Sequence, residues 1–134
     1  MEYINFSQAQ EISRMWNFLN LSRVEGMVSD NIVYESYLVL NPIEGKEDFV
    51  QNMQRKLQTV FNAVQAGEVQ LYAQLVSIEG IYHECFVKLN QIVNGQPDES
   101  LISVSVNEDG TIYRLMLNPM HPNLNTSEVY PDED

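Results

Sequence analysis

The stretch NIVYESYLVLNPIEGKEDF, residues 31–49, contains the pattern that decides the fold. Its first half is rich in β-branched and aromatic residues, which is typical of a strand over residues 32–39. Pro42 and Gly45 then interrupt the strand, because proline lacks an amide hydrogen and glycine tolerates a positive φ. Apolar residues recur at helical spacing from Phe49 onward, so the stretch predicts a strand, a short crossover and the start of a helix.

Helical patterns flank this strand on both sides. The helix after it has an apolar stripe made of Phe49, Met53, Leu57, Val60 and Val64. Before the strand, a second apolar stripe is formed by Ile12, Met15, Trp16 and Leu19. We therefore expect N-terminal helices, one strand and then a long helix.

Four strand-like runs follow the long helix, at about residues 68–79, 81–92, 100–107 and 111–118. Glu108-Asp-Gly110 is a strong hairpin signal between the last two runs, and the other joints are also short. Because short joints force neighbouring strands to be antiparallel, these runs predict a meander. The predicted fold class is therefore α+β.

The length and composition predict one domain. The chain has 134 residues, of which 44% are apolar, enough to build a hydrophobic core. We expect a single domain over residues 1–124 and an acidic, flexible tail over residues 125–134. No run approaches the roughly 18 apolar residues of a membrane span. The first residues also lack a secretory signal, so we expect a cytoplasmic protein.

The charge balance argues against two classes of partner. Seven Lys and Arg residues stand against 19 Asp and Glu residues, a net charge of −12. Such a surface repels phosphate backbones and anionic membranes, so neither nucleic acid nor a membrane is an expected partner. Cys85 is the only cysteine, which excludes an intramolecular disulfide and a thiolate metal cluster. We expect no cofactor and no metal site.

The order of elements resembles that of the nuclear transport factor 2-like superfamily. The resemblance is carried by DNIVYES at residues 30–36, by PIEG at residues 42–45 and by the apolar stripe from Phe49 to Val64. In that superfamily a curved sheet wraps around the long helix and forms a cone with a pocket at its open end. Members are commonly dimers. The resemblance implies the same architecture over nearly all of residues 5–118.

The superfamily includes non-enzymes as well as isomerase-like, polyketide cyclase-like and dehydratase-like enzymes, so the fold alone does not decide the function. In the isomerase and the cyclases, an aspartate of the first strand is the general base, and its position falls on Ser36 here. Losing a general base costs about 10²–10⁴ in rate. Glu35 is adjacent, but strand alternation directs it to the other face. The resemblance therefore argues against the aspartate mechanism.

The residues expected to point into the cone define a ligand pocket. They are Trp16, Tyr34, Ser36, Phe49, Met53, His83, Cys85 and Tyr113. His83 is the candidate catalytic residue, because histidine can act as acid or base near neutral pH. The alternatives are a hydrogen-bonded core histidine and, for Cys85 beside it, a buried core cysteine rather than a nucleophile.

The opposite sheet face is predicted to form a homodimer. Its aromatic and apolar residues are Tyr72, Val76, Tyr82 and Phe86. Scattered exposed apolar residues are the alternative interpretation, and the resemblance to dimer-forming proteins favours the interface.

Three function classes remain open on the sequence. The first is a small-ligand-binding domain with an apolar pocket that does not use the aspartate mechanism. The second is an isomerase-like, cyclase-like or dehydratase-like enzyme that uses His83. The third is an acidic protein-interaction or immunity-type protein, which rests only on the net charge of −12.

Overall fold

The computed structural model describes residues 3–130, which form three helices and seven strands. The helices are α1 (Phe6–Phe18), α2 (Ser22–Glu25) and α3 (Lys46–Gln65). The strands are β1 (Val28–Ser36), β2 (Ile43–Glu44), β3 (Val69–Ile78), β4 (Ile81–Val93), β5 (Gln96–Val106), β6 (Ile112–Pro119) and β7 (Thr126–Glu128).

All seven strands belong to one curved sheet, in the order β2-β1-β6-β5-β4-β3-β7. β1 and β6 are parallel, and the other neighbouring strands are antiparallel. α1 packs mainly on β3 and β4, whereas α3 packs mainly on β1. The predicted α+β class is confirmed, as is the meander that follows the long helix.

α3 begins directly after Gly45, whose φ of 93° suits glycine and few other residues. Glu47 and Asp48 lie in the first turn, where carboxylates interact favourably with the helix dipole. The helix then buries the first part of the predicted apolar stripe, namely Phe49, Met53 and Leu57.

An asparagine side chain holds the first end of α1 in the sheet. Asn5, the residue before α1, is buried and donates from Nδ2 to the carbonyl oxygens of Cys85 and Val104, both at 2.9 Å. Its Oδ1 accepts a hydrogen bond from the amide of Cys85 at 3.0 Å. The paired part of β4 and β5 ends at Val87 and Ile102. The Asn5 side chain therefore bonds backbone groups of both strands beyond the point where their pairing ends.

A second asparagine holds the other end of α1. Asn17 accepts a hydrogen bond from the amide of Ala73 at 2.7 Å and donates to its carbonyl oxygen at 3.0 Å. Ala73 belongs to β3, so the Asn17 amide occupies the edge of that strand as a neighbouring strand would. α1 is thus held across β5, β4 and β3 by side-chain hydrogen bonds as well as by its apolar face.

A β-bulge in β6 changes the face on which its first residues lie. The pairing with β5 passes from Ser105–Arg114 to Val106–Ile112, so Tyr113 is the extra residue. As a result Ile112 is buried and Tyr113 is exposed. The prediction that Tyr113 lines the pocket assumed that side chains alternate regularly between the two faces along β6. The bulge interrupts this alternation at Tyr113.

A short strand occupies the position where the sequence indicates a flexible tail. Thr126–Glu128 forms β7 and pairs with residues 76–78 of β3. The amide of Val129 also donates to the carbonyl oxygen of Leu75 at 2.8 Å. The structure therefore differs from the prediction over these residues, and residues 131–134 of the predicted tail lie outside the described part.

The hydrophobic core lies between the helices and the inner face of the sheet. It includes Trp16, Tyr34, Phe49, Met53 and Cys85, which are all buried in one cluster. A smaller cluster on the outer face contains Val76, Ile78, Phe86 and Leu101, with Met120 against it. Within residues 3–130, no helix is long and apolar enough to cross a membrane.

Candidate ligand-binding site

One charged side chain reaches into the aromatic part of the core. Lys56 on α3 donates a hydrogen bond from Nζ to the hydroxyl oxygen of Tyr34 at 3.2 Å. The same Nζ lies 5.5 Å from the centre of the Tyr34 ring and 5.9 Å from that of Trp16. Both aromatic residues are buried, while Lys56 is half-buried. The ammonium therefore lies between two rings at the border of the core.

Three elements bring these side chains together. Tyr34 lies on the inner face of β1, and its ring is tilted by 53° against that of Phe49 at a distance of 6.1 Å. Phe49 is seven residues before Lys56, so two helical turns place both on the same side of α3. Trp16 comes from the second half of α1, which Asn17 fixes to β3.

Lys56 and Tyr34 together could donate hydrogen bonds to one oxygen atom of a ligand. A lysine ammonium has three N–H donors, and the Tyr34 hydroxyl that accepts one of them keeps its own O–H donor. Contact of a cation with aromatic rings stabilises it by about 0.5–2 kcal/mol, more when it is desolvated. An anionic or carbonyl oxygen placed beside Lys56 and Tyr34 could accept from both groups.

A surface groove lies next to this site. It has a volume of about 420 Å³ and runs between β2 and the first half of α3. Ile43 in its wall pairs with Tyr34 in the sheet. Asn52, also in its wall, lies one helical turn before Lys56. The groove thus brings solvent to Ile43 and Asn52, which are neighbours of Tyr34 and Lys56 in the strand pairing and along the helix.

Ser36, the position at which the resemblance implies an aspartate in related enzymes, has a local hydrogen-bond partner. Its side chain is buried, and its Oγ accepts a hydrogen bond from the amide of Leu38 at 3.1 Å. Glu35 lies on the outer face, where its carboxylate pairs with Arg114 at 3.1 Å. Neither side chain can serve as a general base at the Lys56 site in this arrangement.

His83 lies away from these residues. It is exposed near the start of β4, and its carbonyl oxygen accepts a hydrogen bond from the amide of Ile4, just before α1. Trp16 lies near the other end of α1, about 15 Å along the helix axis from the first residue of the helix. The structure therefore does not bring the candidate catalytic residue together with Trp16, Tyr34 and Lys56.

A register irregularity accounts for the exposure of His83. The pairing of β3 with β4 passes from Val76–Phe86 to Ile78–Ile81, so several residues of β4 oppose a single residue of β3. The regular alternation that placed His83 on the inner face does not apply across such a bulge. Cys85, in the same unmatched stretch of β4, is fully buried.

Cys85 is a core residue with an unreactive thiol. Burial raises the pKa of the Cys85 thiol to about 11, which keeps it protonated at neutral pH. Its Sγ lies 3.5 Å from Oδ1 of Asn5. A thiolate is the reactive form of cysteine, so these surroundings do not support a nucleophilic role.

The predicted dimer face is only partly accessible. Tyr72 and Tyr82 are 55% and 61% exposed. Val76 and Phe86 are buried in the outer cluster beneath the chain's own Met120. The structure therefore leaves two of the four predicted residues free to contact a partner.

Lys56 is a site residue that the sequence pattern did not single out. It lies within the apolar stripe of α3, seven residues after Phe49 and three after Met53. A lysine within an apolar stripe is the sequence feature that could have identified this residue, because a charged side chain on the buried side of a helix needs a partner there.

One surface groove, at the start of α3, is acidic. It has a volume of about 830 Å³, and its carboxylates are Glu25, Asp30, Glu44, Glu47 and Asp48. Among residues 3–130, no cluster of three or more His, Cys, Asp or Glu side chains has a geometry that could hold a metal ion.

Comparison with known proteins identifies the fold. The sequence matches no protein-family model and no curated protein. A nuclear transport factor 2-like protein of unknown function from Cytophaga hutchinsonii has a similar structure, with a TM-score of 0.58 and 11% identity over 90% of this chain and 93% of that chain.

Two further solved structures have different functions. A steroid delta-isomerase from Pseudomonas aeruginosa matches with a TM-score of 0.59 and 10% identity, over 89% of this chain and 82% of that chain. The Anabaena orange carotenoid protein, which binds canthaxanthin, matches with a TM-score of 0.63 and 14% identity, over 91% of this chain and 38% of that chain. The predicted nuclear transport factor 2-like fold is thus confirmed. At such low sequence identities, the structural similarity is evidence for the fold alone.

Proposed function

We propose that this chain is a small-ligand-binding domain whose ligand is mostly apolar and carries one anionic or carbonyl oxygen. Lys56 and Tyr34 would bind that oxygen, and Trp16 would pack against the apolar body. The observation that supports this proposal is the 3.2 Å hydrogen bond between the Lys56 ammonium and the Tyr34 hydroxyl, next to a buried indole ring.

The alternatives have less support. A catalytic role for His83 stays a prediction, and its exposed position gives it no contact with the aromatic site. An acidic interaction protein is supported by the net charge of −12 and by the five carboxylates of the acidic groove. Binding of a basic protein at low salt would test that alternative, and screening by salt should abolish it.

A pair of dyes tests the ligand proposal. Anilinonaphthalene sulfonate has an apolar body with one anionic group, and phenylnaphthylamine has nearly the same body without the charge. We expect the wild-type chain to bind the sulfonate at least about tenfold more tightly, which is the usual contribution of one charge-assisted hydrogen bond. The readout is dye fluorescence in a titration.

Two variants locate the binding. Lys56→Met keeps most of the aliphatic length and should remove the preference for the sulfonate while phenylnaphthylamine still binds. Lys46→Met removes one positive charge from the start of the same helix and should leave the preference unchanged. Equal sulfonate binding by the wild type and Lys56→Met would disprove the proposal, as would failure of the wild type to bind either dye.

A further inference from the structure

A second polar cluster lies at the corner between α1 and α2. Oε1 of Glu11 accepts hydrogen bonds from Nη1 of Arg14 at 2.7 Å and from Nη1 of Arg23 at 3.2 Å. Two of the chain's seven basic residues thus converge on a single carboxylate. In a protein with a net charge of −12, this corner carries a local excess of positive charge.

The carboxylate at the centre of this cluster is incompletely paired. The Glu11 side chain is only 12% exposed, and its second oxygen, Oε2, is buried with no hydrogen-bond partner among the described residues. A buried acceptor without a donor is unfavourable, so a rotation of the Glu11 carboxylate that brings Oε2 to a donor in the adjoining groove would be favoured. Arg14 and Arg23 each contact Glu11 through one nitrogen, although a guanidinium has five N–H donors.

An apolar surface adjoins these polar groups in the same groove. The groove has a volume of about 330 Å³ and is lined by Glu11, Arg14, Met15, Phe18, Asn20, Ser22 and Arg23. Phe18 is 76% exposed, so its ring is accessible from the groove. The groove therefore combines hydrogen-bond donors for an anion, one carboxylate acceptor and an exposed aromatic ring.

We propose that this groove binds a free α-amino acid with an apolar or aromatic side chain. The carboxylate of the ligand would bind Arg14 and Arg23, because guanidinium groups match the geometry of a carboxylate. Its ammonium would donate to Oε2 of Glu11, and its side chain would pack on Phe18. Three different contacts around one tetrahedral carbon should also make the site select one enantiomer.

Calorimetric titration of the full chain with phenylalanine tests this proposal. We expect saturable binding of one enantiomer, and at least about tenfold weaker binding of phenylalaninamide and of N-acetylphenylalanine. The amide lacks the carboxylate and the acetylated compound lacks the ammonium. No heat of binding at about 10 mM phenylalanine, well above a millimolar Kd, would overturn the proposal. Equal binding of phenylalanine and both analogues would also overturn it.

A substitution at Arg23 assigns the binding to this groove. Arg23→Gln removes an exposed guanidinium without touching the core and should weaken phenylalanine binding at least about tenfold. Arg55→Gln, an exposed position on α3, is the matched control and should bind like the wild type. Lys56→Met should also bind phenylalanine normally, so failure at the Lys56 site and failure here are distinguishable. Unchanged binding by Arg23→Gln would refute the assignment.

Discussion

The Nζ of Lys56 donates a hydrogen bond to the hydroxyl oxygen of Tyr34 at 3.2 Å, which joins the middle of the long helix to the first strand. Both residues belong to elements that the sequence predicts, but their contact depends on how α3 lies across β1. The bond places the ammonium beside two buried rings, where a ligand oxygen could replace water. Removing either partner should therefore change both stability and ligand binding.

Tyr34→Phe should weaken the site without unfolding the protein. The variant keeps the ring that packs on Phe49 and loses only the hydroxyl that accepts from Lys56. We expect a loss of about 1 kcal/mol in the free energy of unfolding, which urea titration measures, because Lys56 is half-buried and partly solvated. Sulfonate dye binding should weaken severalfold. Dye binding equal to that of the wild type would exclude a contribution from the hydroxyl.

Asn5→Ala should be among the most destabilising substitutions of a polar residue. It leaves the amide and carbonyl of Cys85 and the carbonyl of Val104 without the Asn5 partner in a buried place. We expect a loss of about 3 kcal/mol in the free energy of unfolding, measured by urea titration.

Asn17→Ala provides the matched comparison for the other end of α1. Its two hydrogen bonds to Ala73 are also lost, but Asn17 is exposed and water can take its place. We expect a loss of only about 1 kcal/mol. A loss at Asn17 as large as that at Asn5 would contradict the role assigned to burial.

The Cys85 thiol should make stability depend on pH in the alkaline range. Burial raises its pKa from an ordinary 9.0 to about 11, so the native state favours the protonated thiol. This contribution is fully present below pH 9.0 and is lost as the pH rises towards 11. Between these values the wild type should lose up to about 2 kcal/mol relative to Cys85→Ala. The free energy of unfolding is measured by urea titration at each pH. The same pH dependence in both proteins would contradict a raised pKa of the Cys85 thiol.

The homodimer prediction concerns the exposed tyrosines of the outer sheet face. We expect the wild type to sediment as a dimer at micromolar concentration and the double variant Tyr72→Glu with Tyr82→Glu to sediment as a monomer. Tyr130→Glu changes another exposed tyrosine and serves as the control. A wild-type monomer under these conditions would refute the interface.

The helices and strands could be predicted from the sequence because their signals are local. The Pro42 and Gly45 crossover separates strand from helix, and the stripe beginning at Phe49 has helical spacing. Turn residues such as Gly110 then separate the later strands. Each of these signals acts over a few residues and does not depend on the rest of the chain.

The candidate site could be predicted only in part. Periodicity assigns Trp16, Tyr34, Phe49 and Met53 to the inner side of the fold, and all four are buried in the main core cluster; His83 and Tyr113 are exposed instead. Bulges in β4 and β6 break the alternation on which the assignment of these two residues depended. A bulge is defined by the pairing of two strands, so one strand's own sequence does not reveal it.

By itself, the sequence determined the order of the main helices and strands and the apolar faces of α1 and α3, since backbone geometry and hydrophobic periodicity act locally. Only the tertiary structure decided which polar groups meet. Lys56 and Tyr34 are 22 residues apart, and Asn5 and Cys85 are 80 residues apart. Hydrogen bonds between such distant residues exist because packing of α1 and α3 on the curved sheet brings their side chains within reach.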